Sequence, residues 1–201
     1  MCNDGVRWES ALAGLERSSD GRIGVAAAGF ALREWPCRAL LTLRGEGEAF
    51  FEAAAGVLGL RLPLRPGQTA VAGARRALWM GPDEWLLCDA DADPCELEAA
   101  LRDALAGGGG TVVDVSSGLV IVTLQGSAVR AVLAAGCPLD LHPRVFAVEQ
   151  CAQSHCFKAP VTLWRGADDA FSVVVRRSFA HYAVDMLLDA AQPYLGGEHV
   201  R

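Results

Sequence analysis

The chain has 201 residues, 52% hydrophobic and 21% charged, with a formal net charge of −6. So apolar a composition excludes intrinsic disorder. The acidic balance, with no basic run longer than Arg75-Arg76 or Arg176-Arg177, excludes a protein that tracks nucleic-acid phosphates.

Residues 1–37 read as an N-terminal extension. The opening "MCNDGVRWES" lacks the basic start and apolar stretch of a secretory signal. The apolar run Val25–Leu32 is far shorter than the roughly 20 residues needed to cross a bilayer. These features predict a cytoplasmic protein with no membrane association. Trp8 and Trp35 belong either to a docking face or to the chain's own core.

Two similar halves follow. In "LTLRGEGEAFFEAAAGVLGLRLPLRPG" (Leu41–Gly67) an alternating apolar run predicts a strand. After Gly45, apolar residues Phe50, Ala54 and Val57 recur at helical spacing, and Gly56 and Pro63 signal the stop. "ALWMGPDEWLLC" (Ala77–Cys88) follows as two apolar runs around a Gly-Pro-Asp-Glu turn, the pattern of a β-hairpin. Trp79 and Trp85 are expected to pin this hairpin to a helix. Asp93-Pro94 supplies an N-cap and a first-turn proline for the next helix.

After the joint Gly107–Gly110 the order recurs. "VVDVSSGLVIVTLQG" (Val112–Gly126) has two apolar strands around an Asp-x-Ser-Ser-Gly turn. Gly126 answers Gly45, and Val129, Val132 and Leu133 form the helical face. Gly136 and Pro143 stop that helix. "LWRGADDAFSVVV" (Leu163–Val175) answers the first hairpin, with Trp164, Gly166 and Asp168 in place of Trp79, Gly81 and Asp83. Ser178 is the expected cap of the last helix. The reading is an α+β fold of two pseudo-repeats, 38–106 and 112–192. Each is strand-helix-strand-strand-helix with mainly antiparallel sheet, and the repeats pack as one unit about a pseudo-two-fold axis.

A search for chemistry leaves little. The seven cysteines are irregularly spaced and read as reduced, mostly buried thiols. "CAQSHC" (Cys151, His155, Cys156) lacks the second ligand pair of a zinc site, so no metal is expected. The histidines, His142, His155, His181 and His199, show no metalloprotease spacing. Arg75-Arg76 and Arg176-Arg177 read as solvated or snorkelling arginines. In "RGEGEAF" Phe50 stands where the third glycine of a dinucleotide loop would fall. Asp114 and Ser116 are the only candidates for a binding pocket, and no catalytic residue is expected.

"WMGPDEWLL", "VVDVSSGLVIVTLQG", "GCPLDLHPRVF" and "RRSFAHYAVDML" together resemble the gamma subunit family of heterotetrameric sarcosine oxidase, from about Ala11 to Ala191. That family is distantly similar to the folate-binding region of the glycine-cleavage aminomethyltransferase. The resemblance implies a folate-binding-like α+β fold in a non-catalytic structural subunit, with alpha, beta and delta subunits as partners. It implies an assembled oxidoreductase that demethylates sarcosine to glycine, producing hydrogen peroxide and formaldehyde or 5,10-methylenetetrahydrofolate. FAD, FMN, NAD and zinc would lie in the partners, tetrahydrofolate would accept the one-carbon unit, and this chain would bind no cofactor. The alternative is a stand-alone folate-binding or aminomethyltransferase-like protein, in which Asp114 would hold the pterin. Ser117 replaces the aminomethyltransferase histidine, and Phe157 and Lys158 replace its acids. Methylene transfer by this chain itself is therefore not expected.

Overall fold

The computed structural model describes residues 9–13, 24–27, 29–35, 37–107, 109–167 and 170–195. Trp8, Cys2, Asp168, His199 and Gly108 lie outside the described residues. The chain divides into two compact units. The first holds the described residues of 36–119 and 149–152, and the second those of 7–35, 120–148 and 153–201.

The first unit is built on a five-stranded sheet. Its strands are β3 (Ala39–Arg44), β4 (Thr69–Ala72), β5 (Arg75–Gly81), β6 (Glu84–Asp89) and β7 (Thr111–Asp114), in the order β4-β5-β6-β3-β7. The neighbouring pairs are all antiparallel. Alternate residues Ala39, Leu41 and Leu43 of β3, Ala77 of β5, and Trp85 and Leu87 of β6 join one core, as the two-residue period of a strand requires. The helices α1 (Glu48–Leu58) and α2 (Pro94–Leu105) complete it with Phe50, Ala54 and Leu58, and Leu97, Leu101 and Leu105. Both sets have i, i+4, i+8 spacing, one stripe of a helix.

The helix ends follow from single residues. The Asp93 side chain accepts from the amides of Cys95 and Glu96 at 3.0 and 3.1 Å, so the predicted cap of α2 is present. Such a cap contributes about 1 kcal/mol. The stop of α1 is Gly59 rather than Gly56. Gly59 takes the left-handed conformation at φ 66° and its amide returns to the Ala55 carbonyl at 2.9 Å, the closure a Cβ would strain. Gly56 lies inside the helix.

The second unit carries a six-stranded sheet. Its strands are β1 (Gly24–Ala26), β2 (Ala31–Trp35), β8 (Leu119–Gln125), β9 (Cys151–Cys156), β10 (Ala159–Arg165) and β11 (Phe171–Arg176), in the order β1-β2-β8-β11-β10-β9. Read from β9, the first five strands of this order match the first sheet, with β2 in the place of β7 and β1 added at the edge. The duplication is thus present in topology as well as in sequence. Helix α3 (Val129–Ala134) packs on α4 (Ala180–Ala191). The predicted α3 face, Val129, Val132 and Leu133, is buried.

Three features differ from the sequence reading. Each repeat has a third strand before its hairpin, β4 and β9. "TAVA" and "CAQSHC" are too short and too mixed in polarity to show a period. The cap predicted at Ser178 is not made: residues 177–179 form a 3-10 turn, and α4 starts after Phe179 without a side-chain cap. Last, Cys95 is disulfide-bonded, whereas Cys37, Cys88, Cys137, Cys151 and Cys156 are free thiols.

Candidate functional site

The hairpin Ala77–Cys88 joins β5 to β6 through Pro82 and Asp83, with a bulge between Trp79 and Gly81. Trp79 and Trp85 face each other across the strands, but only Trp85 is fully buried. Its ring lies against Phe50 and Phe51 of α1, with centroids 5.7 and 5.6 Å away. Its Nε1 donates to the Pro63 carbonyl at 2.7 Å. Trp85 therefore fixes α1 and the loop that follows it, as expected of architecture rather than catalysis. Trp35 meets Trp164 edge to face at 5.7 Å.

Asp114 and Ser116 are brought together at the end of β7. The Ser116 amide donates to Asp114 Oδ1 at 2.8 Å, and the Ser116 hydroxyl donates to the same oxygen. Ser116 Oγ also accepts from the Leu40 amide at 2.9 Å, and the Val115 amide donates to the Leu40 carbonyl at 2.8 Å. The Asp-x-Ser-Ser-Gly segment is thus an Asx turn that satisfies both backbone groups of Leu40. Ser116 is buried, while Asp114 and Ser117 are exposed.

Phe157 and Lys158 form the turn between β9 and β10. Phe157 has φ 53°, and its amide donates to the Gly136 carbonyl at 2.7 Å. Its ring occupies the space a Gly136 side chain would need: an added Cβ would lie 2.6 Å from it. In "CAQSHC", Cys151 and Cys156 are five residues apart in one strand and point to opposite faces. Burial pushes these thiols up to about 11 and about 12. No group of three or more metal-ligating side chains occurs among the described residues.

Two ion-paired clusters carry no local signature in the sequence. Strand alternation sends Arg75 and Arg76 to opposite faces, so the pair cannot grip one anion. Arg75 Nε donates to Asp89 Oδ2 at 2.7 Å, and its Nη1 reaches the Leu58 carbonyl at 2.6 Å, at the end of α1. Asp89 Oδ1 accepts the amides of Asp91 and Ala92 at 2.9 and 3.0 Å. Burial acts to raise the Asp89 pKa, but these amides and the guanidinium outweigh it and hold the carboxyl below its usual range. Arg76 pairs with Glu149 and also donates to Thr69 Oγ1 at 3.1 Å. Thr69 Oγ1 donates to Glu149 Oε2 at 2.7 Å. Glu149 sits at φ 61°. Burial opposes its ionisation, and Arg76 and Thr69 outweigh that effect, so its pKa is lowered. The arginine partners are acids distant in sequence, which adjacency in the chain could not reveal.

Two duplicated α+β halves, each with a mostly antiparallel sheet and its own pair of helices, define a folate-binding-domain-like protein whose candidate polar groups are engaged in holding the fold. The crystal structure of aminomethyltransferase T from Bartonella henselae shares this fold, with a TM-score of 0.62 and 18% identity over 84% of this chain and 50% of that one. A family model, "Sarcosine oxidase, gamma subunit family", matches residues 44–193. The sarcosine oxidase gamma subunits of Corynebacterium sp. (strain U-96) and Arthrobacter sp. are each 36% identical, over 83% of this chain and 82% of theirs. A chain of the heterotetrameric sarcosine oxidase from Corynebacterium sp. U-96 superposes with a TM-score of 0.83 and 31% identity, over 96% of this chain and 99% of that one. This chain belongs to the sarcosine oxidase gamma subunit family.

Proposed function

We propose that this chain is a non-catalytic, structural subunit of a cytoplasmic heterotetrameric sarcosine oxidase. In this reading the alpha, beta and delta subunits hold FAD, FMN, NAD and zinc and carry out the oxidative demethylation. The observation that carries the reading is the superposition on a chain of the heterotetrameric enzyme over nearly the full length of both.

The residues support the non-catalytic part. Cofactor redox chemistry requires binding elements, and the polar groups that could have served here are committed elsewhere. Ser116 and Asp114 Oδ1 satisfy backbone at a turn. Arg75 and Arg76 are paired with Asp89 and Glu149. Buried free thiols with raised pKa values, Cys88, Cys151 and Cys156, stay protonated and weakly nucleophilic at neutral pH. No helix among the described residues is long and apolar enough to cross a membrane.

The test is a gentle pull-down of the tagged chain from its native host, read as protein bands and a visible spectrum. Co-purification of larger subunits with flavin absorbance is the expected result. A lone, colourless chain would overturn the reading.

A further inference from the structure

In both repeats the loop that leaves the first helix is held rigidly and yet presents an apolar side chain and arginine to solvent. In the loop Gly59–Gly67, Leu60 and Leu62 enter the core and Trp85 Nε1 holds the Pro63 carbonyl. At the far end the Gly67 carbonyl accepts the Cys151 amide at 2.7 Å, and the Gln68 amide donates to the Arg65 carbonyl at 3.2 Å. Between these fixed points Leu64 is 65% exposed, the most exposed large hydrophobic residue among those described. Arg61 and Arg65 are exposed beside it. Arg44, Arg75, Arg76 and Arg102 all have acidic partners. Among the described residues, the side chains of Arg61 and Arg65 make no ion pair or hydrogen bond.

The loop contains these two arginines and no acid, in a chain of net charge −6. The same chemistry recurs in the second repeat. Arg144 is exposed and Val145 is 56% exposed, on a turn closed by the His142 carbonyl, which accepts the Val145 and Phe146 amides at 2.9 Å. An apolar side chain on fixed backbone loses little entropy on binding, and arginine is enriched where interfaces are strongest. Two copies meeting through this loop would oppose like charges, which disfavours self-association through it. A surface complementary to this loop would carry acidic side chains.

We propose that Leu64, flanked by Arg61 and Arg65, seats in an apolar pocket rimmed by Asp and Glu side chains on a larger subunit of the sarcosine oxidase assembly. The proposal rests on the structural-subunit reading above. Its test is co-expression of the tagged chain with the other subunits, followed by size-exclusion co-elution of wild type, L64D, R61E/R65E and V113D. Val113 is a control, since it is 54% exposed but lies next to Asp114 rather than an arginine. The charge reversal alters only exposed side chains, so the fold is retained and circular dichroism shows an unchanged melting curve. The expected result is at least about a tenfold loss of co-elution for L64D and for R61E/R65E, none for V113D, and weakening of the wild-type complex at about 0.5 M salt. Unimpaired co-elution of R61E/R65E and L64D, or an equal loss in V113D, overturns this inference and leaves the subunit reading standing. Failure of the wild-type chain to co-elute overturns both.

Discussion

Replacing Asp89 with alanine tests whether the buried pair with Arg75 holds the first unit together. The carboxylate does three things at once. It binds Arg75 Nε at 2.7 Å and accepts two amides of the chain leading into α2. It also orients the guanidinium that caps the end of α1. Each lost hydrogen bond costs about 1 kcal/mol. Removing one partner of a buried pair costs about 3–5 kcal/mol, and the lower end applies because the Arg75 side chain keeps 20% of its exposure. The expected loss for D89A is therefore about 3 kcal/mol, read from urea unfolding followed by tryptophan fluorescence. D89N, which keeps an acceptor for the amides but not the charge, falls between. The pH dependence gives an independent check. The folded carboxyl titrates below the unfolded one, so the unfolded chain takes up the proton first as pH falls. The gap between wild type and D89A is complete above the unfolded value of about 3.9 and narrows toward that of D89N as pH falls through the folded value. A D89A loss below about 1 kcal/mol, or a gap unchanged at low pH, would refute the reasoning.

Four further outcomes follow from single positions. W85F removes the donor to Pro63 and leaves space against Phe50 and Phe51; it should cost about 2–3 kcal/mol in thermal or urea unfolding, against well under 1 kcal/mol for W79F at the half-buried facing position. G126A should destabilise by more than about 2 kcal/mol, because Gly126 has φ 112° and an added Cβ would lie 2.5 Å from the Gly29 carbonyl oxygen. G56A, inside α1 with nothing within 4 Å of its Cβ, should instead stabilise by about 0.5–1 kcal/mol. S116A strands the Leu40 amide and should cost about 1–3 kcal/mol, visible as faster hydrogen exchange at Leu40.

How much was legible in the sequence depended on the range of the interaction involved. The two hairpins, the α2 cap at Asp93, the buried face of α3 and, for α1, Phe50 and Ala54 follow from spacing along a few residues, whereas the third core position of α1 is Leu58 rather than the expected Val57. The third strand of each repeat was not legible, because "TAVA" and "CAQSHC" carry no periodic signal and are held as strands by their neighbours. The Asp-x-Ser-Ser-Gly turn was legible as a turn. Its role in satisfying Leu40, 76 residues away, was not.

By itself the sequence determined the duplication, the class of fold and the family resemblance, since each rests on order and periodicity that the chain carries locally. Only the tertiary structure decided what the charged residues do. Arg75 finds Asp89 directly across a strand pair, and Arg76 finds Glu149, 73 residues on. Among the described residues it also left the side chains of Arg61 and Arg65 without an acidic partner. Ion pairing depends on which side chains the sheet register brings together, and that register is a property of the packed chain rather than of any stretch within it.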